Sequence, residues 1–170
     1  MMSHTNTQRH NSRARFFQGL IKLAEKDSSI ILLTNDVGYS FVEKFAQLYP
    51  KQFLNCGIME QTITGIAAGL ALAGKKPYYY SMIPFVIMRN YEQLRNDILL
   101  QGLNVKLVAV QGGESYKFLG ESHNMVCDDE DIKLLTHLPV DIYIPGEEGD
   151  VVEKTVEATY NIQKPAYIRL

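Results

Sequence analysis

Little in this sequence marks it for a membrane, for nucleic acid or for metal. No apolar run approaches the roughly 20 residues needed to span a bilayer. A formal net charge of −2, with no basic stripe, makes no electrostatic case for nucleic acid. The only two cysteines, Cys56 and Cys127, form no metal-ligand pattern, which fits reduced thiols in a cytoplasmic protein. Arg9, Arg13 and Arg15 stand near the start without an apolar stretch beside them, so no secretory signal is expected. Familiar catalytic signatures are scarce as well. There is no P-loop, no nucleophile elbow and no HExxH, and Gln111-Gly112-Gly113 lacks the third glycine and the helix of a dinucleotide fingerprint.

What is present is the material of one soluble domain. The chain has 170 residues, 46% hydrophobic and 21% charged, enough for a real core, with no repeat, low-complexity segment or linker. Residues 1–12 are polar and aperiodic and read as a disordered tail, leaving 13–170 as a single domain. A helix is expected from Arg13 to Glu25, with Phe16, Leu20 and Leu23 inward, then a strand from Ser28 to Thr34, apolar enough to be buried on both faces. Ser40 and Glu43 make a capping box for a helix running to Leu48. Further strands are expected at 77–82, 105–110, 142–144 and 166–170, and further helices at 88–100, 128–135 and 150–162. The alternation of strands and helices predicts an α/β fold, a doubly wound parallel sheet with helices on both faces.

The chain is organised around residues 53–75. A short strand-like run ends at Gly57, and Ile63, Ile66, Ala67 and Leu70 then form an apolar helical stripe closed by Gly74. Gly65 and Gly69, one turn apart, predict a face that another backbone can approach closely. One acid, Glu60, opens this apolar helix. It reads either as a first-turn carboxylate facing the helix dipole or as a carboxyl held in an apolar junction, able to share a proton with a ligand nitrogen. Asn35-Asp36-Val37-Gly38 lies at a strand's carboxyl end, where open α/β sheets place ligands. Asp36 there is ordinary turn chemistry. The irregular run 111–124, rich in glycine and containing His123, is of the kind that is functional or mobile.

Gly57-Ile58-Met59-Glu60-Gln61, the Gly-Ile-Ala-Ala-Gly-Leu-Ala run after it, Lys76-Pro77-Tyr78, Tyr91-Glu92-Gln93-Leu94-Arg95-Asn96-Asp97, Leu103-Asn104-Val105-Lys106 and the terminal Pro165-Ala166-Tyr167-Ile168-Arg169-Leu170 follow one another in a familiar order and spacing. Together they resemble the pyrimidine-binding domain of transketolase-like, thiamine-diphosphate-dependent enzymes, over roughly residues 12–170. The resemblance implies that Glu60 hydrogen-bonds N1′ of the aminopyrimidine and stabilises the imino tautomer, whose exocyclic nitrogen can deprotonate C2 of the thiazolium. It implies that Phe85, within a one-residue gap, stacks on that ring, that Met82 forms the adjoining wall, and that Asp36 is a cofactor-facing candidate. His123 falls where transketolases carry a substrate-facing histidine. Leu119 stands where they carry an acid that contacts a substrate hydroxyl, a departure that bears on the substrate. Gly149-Asp150 is followed by Val151, so the diphosphate motif of thiamine enzymes is not formed. The resemblance therefore implies a diphosphate-binding transketolase N-terminal subunit as partner, with Mg²⁺ bound by that partner, in a hetero-oligomer or around a homodimer of this domain. The implied activity is ketol transfer on a sugar-type substrate. The β-type half of a 2-oxo acid decarboxylase or dehydrogenase, and a non-catalytic assembly or regulatory domain, are the alternatives.

Overall fold

Six strands make the frame: β1 (Ile30–Thr34), β2 (Phe53–Asn55), β3 (Lys76–Met82), β4 (Lys106–Val110), β5 (Asp141–Tyr143) and β6 (Ala166–Arg169). They lie side by side in the order β2-β1-β3-β4-β6-β5, and every neighbouring pair is parallel. The computed structural model describes residues 6–110, 114–146 and 150–170, with the side chains of 6–10 and 114–116 left outside that description. The helices are α1 (Asn6–Ala24), α2 (Val42–Leu48), α3 (Glu60–Leu72), α4 (Tyr91–Gln93), α5 (Glu130–Leu135) and α6 (Val151–Asn161). This is the doubly wound α/β architecture expected from the strand and helix pattern.

The central strands β1, β3, β4 and β6 are mostly apolar and buried because both sheet faces are covered there, while the edge strands β2 and β5 are half-buried or exposed. Tyr78, Tyr79 and Tyr80 show the consequence, for all three are fully buried although successive strand side chains point to opposite faces. Tyr78 and Tyr80 pack with Phe16, Phe45 and Val156 beneath α1, α2 and α6. Tyr79 packs with Ile63, Ala67 and Leu94 on the other side, beneath α3 and the segment after β3. Among the described residues no helix is long and apolar enough to cross a membrane.

Several local expectations meet the structure differently. Helix α1 begins at Asn6, within the stretch that reads as a polar tail, and residues 1–5 of that tail lie outside the described residues. Only half of the capping box forms. Glu43 accepts the backbone N–H of Ser40, but Ser40 has φ +73° and returns no side-chain cap, so α2 starts at Val42. A Cβ added at Gly65 or Gly69 would meet nothing within 4 Å, and the close approach their spacing predicts is not made among the described residues. Gly74 behaves as expected. At φ +79° it closes α3, its N–H bonding Ala71 O and that of Lys75 bonding Leu70 O, the pairing of a Schellman end.

The amino ends of the strands are pinned by two charges, the half-buried Asp27 and the buried Lys106. Asp27 accepts from Lys76 Nζ at 2.8 Å and from Tyr160 Oη at 3.0 Å. Burial alone would raise its carboxyl, but these donors and Ser29 outweigh that and hold it well below the ordinary range. Lys106, 1% exposed, gives its ammonium to the carbonyls of Ile162 and Lys164. Burial lowers its pKa to about 8.

Candidate functional site

The sheet order reverses between β1 and β3, since the chain passes from β1 outward to β2 and returns through α3 to β3 on the other side. Loops leaving the carboxyl ends of β1 and β3 must diverge, and a crevice opens between them. A cavity of about 310 Å³ lies there, lined by Asn35, Asp36, Glu60, Met82, Phe85 and His123 among others. Its size suits a small ligand or part of a larger one. The structure thus brings together in one cavity every residue singled out from the sequence for a site.

Glu60 is the first residue of α3 and is 7% exposed. It occupies the first-turn position where the helix dipole favours a carboxylate, and it also faces the cavity. The apolar junction expected around it holds an ion pair, for Arg89 Nη1 donates to Glu60 Oε1 at 2.6 Å. Phe85, 5% exposed, comes from the turn that leaves β3. That turn, Pro84–Met88, is π-helical and contains one residue more than an α-helical turn would, a local irregularity frequent at functional sites. The Arg89 guanidinium carbon lies 3.8 Å from the Phe85 ring centroid, and the His123 ring meets Phe85 edge-on at 5.1 Å. His123 Nδ1 also lies 2.9 Å from Ser122 Oγ. Met82, the last residue of β3 and 7% exposed, completes the apolar wall.

Asp36 lines the cavity, but its carboxylate is already engaged. Tyr39 Oη and Asn55 Nδ2 both donate to Asp36 Oδ1, while Asn55 Oδ1 accepts the backbone N–H groups of Asp36 and Gly57. At φ +61° Asp36 shapes the loop, as its turn chemistry suggests. Gly38 beside it, at φ +92°, lets the loop pass so close to the sheet that a Cβ would lie 2.7 Å from the Tyr80 ring. Burial pushes the Cys56 thiol up, which keeps this neighbour of the loop a neutral side chain.

Two residues of the site escape sequence reasoning. Asn35 is 2% exposed, lines the cavity, and neither atom of its side-chain amide has a hydrogen-bond partner among the described residues. A buried unpaired amide is costly, and here both polar atoms are shut off from solvent behind the cavity wall. Arg89 sits in a segment that reads from the sequence as the start of a helix, and its ring and carboxylate partners appear only in three dimensions.

Fold and site together define an open α/β domain with a crevice at its topological switch point, walled by a carboxylate and an aromatic ring. The profile of the "Transketolase, pyrimidine binding domain" family matches residues 9–170, and the chain belongs to that family. It is 34% identical over 160 residues to one subunit of the apulose-4-phosphate transketolase of Phocaeicola vulgatus, covering 93% of this chain and 50% of the relative. It is 29% identical over 165 residues to a 6-deoxy-6-sulfo-D-fructose transketolase subunit of a Clostridium species, covering 96% of this chain and 50% of the relative. Among solved structures it superposes at TM-score 0.80, with 32% identity, on "Split gene transketolase, inactive beta4 tetramer", covering 94% of this chain and 50% of that one. A transketolase from Campylobacter jejuni, 17% identical at TM-score 0.72 and matched over 92% of this chain and 25% of its own, shares the fold. The chain spans about half the length of the split-transketolase relatives it matches.

Proposed function

We propose that this chain is the pyrimidine-binding subunit of a split transketolase-like enzyme, completing a thiamine diphosphate site together with a diphosphate-binding subunit that also holds Mg²⁺. The observation that carries this reading is the planar guanidinium of Arg89, stacked on Phe85 and bonded to Glu60, in the crevice at the switch point. A flat group fits against that ring beside that carboxyl, and an aminopyrimidine is such a group, its N1′ accepting a hydrogen bond from Glu60 once the carboxyl is protonated.

When bound, thiamine diphosphate supplies the thiazolium carbon through which carbon–carbon bonds are broken and made. Glu60 would hold a proton at its carboxyl oxygen and share it with the ring nitrogen N1′, the general acid–base part of activation. Phe85 and Met82 would fix the plane of the ring and keep water from it. His123, on the loop above Phe85, would face the substrate. Two related subunits are named for transketolase reactions on an apulose phosphate and a sulfo-sugar, which supports ketol transfer on an anionic sugar-type substrate.

Titration with thiamine diphosphate and Mg²⁺, with and without the diphosphate-binding subunit, tests this reading. The pure chain should bind weakly and turn nothing over. The assembled enzyme should do both, across an interface of more than ~2,000 Å². Micromolar, Mg²⁺-dependent binding by the pure chain would contradict the division of labour.

A further inference from the structure

We infer that Arg89 is a built-in occupant of the pyrimidine seat, which the cofactor must displace. The inference rests on the reading of Glu60 and Phe85 given above and adds a residue to which that reading assigns no role. The guanidinium is planar like the pyrimidine and takes the same Glu60 carboxyl, donating N–H to it as a carboxylate where N1′ would accept from it as an acid. At 3.8 Å from the ring centroid it is in van der Waals contact with Phe85, so no second plane can enter between them. His123 approaches the same ring edge-on. The bonded Glu60 oxygen, at 2.6 Å, is likewise occupied. Arg89 and an aminopyrimidine therefore exclude one another.

The exposures of the pair say which partner can leave. The Glu60 side chain is 9% exposed and fixed at the start of α3, whereas that of Arg89 is 37% exposed and enters from the solvent side. A long flexible stem lets the guanidinium swing out of the crevice while its backbone N–H stays bonded to Pro84 O. An occupied seat lowers apparent affinity by the fraction of molecules in which it is free. The lone subunit would thereby hold its buried carboxylate paired and reject pyrimidines that arrive without the diphosphate grip of the partner.

Arg89→Met keeps an apolar stem and removes the guanidinium, and Arg89→Ala removes both. Each is compared with the native chain by thiamine titration, without diphosphate and without partner, with two-dimensional NMR spectra verifying the fold. Thiamine should bind the folded variants at least about tenfold more tightly than the native chain. Methylguanidinium at millimolar concentration should compete with thiamine in Arg89→Ala. Equal or weaker thiamine binding by both variants overturns the inference and makes Arg89 a structural ion-pair partner or a ligand-holding residue. If the folded variants bind no thiamine while the native assembled enzyme binds thiamine diphosphate, the inference fails and the functional reading stands. If the assembled enzyme binds none either, the functional reading itself has failed. Should Arg89→Ala not fold, Arg89→Met decides alone.

Discussion

Asn90 donates its side-chain amide to Thr64 Oγ1 at 2.5 Å, and Thr64 in turn donates to the carbonyl of Glu60 at 2.8 Å. Both side chains are fully buried. This chain of two bonds ties the turn carrying Phe85 and Arg89 to the first turn of α3, and so sets the spacing of ring and carboxylate. Thr64→Val keeps the shape but leaves the Asn90 amide without this acceptor. The expected cost is ~1–3 kcal/mol of stability, and Asn90→Leu should partly restore it in the double variant. Denaturant unfolding of the four proteins in a double-mutant cycle measures this coupling. Additive losses would mean that the two residues act independently.

Asn35 should trade stability against binding. Asn35→Leu replaces an unpaired buried amide with a side chain of similar size, so the lone chain should gain ~1 kcal/mol or more. If partner docking or ligand entry uncovers the amide, the assembled variant should bind cofactor or substrate more weakly, having lost a donor and an acceptor there. Thermal unfolding and ligand titration check the two halves. A stabilised variant with native binding would show that the amide faces no ligand.

Leu119 lines the cavity and is 36% exposed. If it stands in place of a hydroxyl-binding acid, Leu119→Asp in the assembled enzyme should shift the ratio of activities toward ordinary ketose phosphates and away from the native substrate. An unchanged ratio would remove Leu119 from substrate selection.

Lys106 predicts the alkaline behaviour of the fold. Its folded pKa of about 8 lies below the ordinary 10.5, so between those values the unfolded chain binds more protons than the native one. Stability should therefore rise with pH in this window, by up to ~1.4 kcal/mol per unit from this group. Lys106→Met should flatten that rise. A native protein whose stability falls steadily from pH 8 to pH 9.5 would contradict the assignment.

The frame is legible in the sequence wherever one physical signal dominates. Consecutive apolar residues mark β1 and β4 as doubly buried strands, Gly74 marks the end of α3, and Asp36, Glu60, Met82 and Phe85, singled out by position or by the family resemblance, converge on one cavity. What is not legible depends on contacts between distant segments. A period of 3.6 residues cannot reveal the extra residue at Pro84–Met88, which fixes where Phe85 and Arg89 point. Nor can polarity alone tell that Asn35 is buried without a partner or that Glu60 is paired. The glycine spacing of α3 suggests a close contact, but among the described residues that face is open.

The most direct test of the catalytic assignment is the Glu60→Gln variant of the assembled enzyme. Gln keeps the size and a hydrogen-bonding tip but exchanges no proton near neutral pH. Ring stacking and the partner's diphosphate grip remain, so cofactor should still bind to a folded protein. The measurement is the rate of hydrogen–deuterium exchange at C2 of the bound thiazolium. The predicted loss is ~10²–10⁴-fold, the usual worth of general acid–base help. If Glu60 were only a first-turn carboxylate, its removal would cost ~0.3–1 kcal/mol of helix stability and leave exchange untouched. Exchange at the native rate in a folded, cofactor-bound variant would contradict the catalytic assignment.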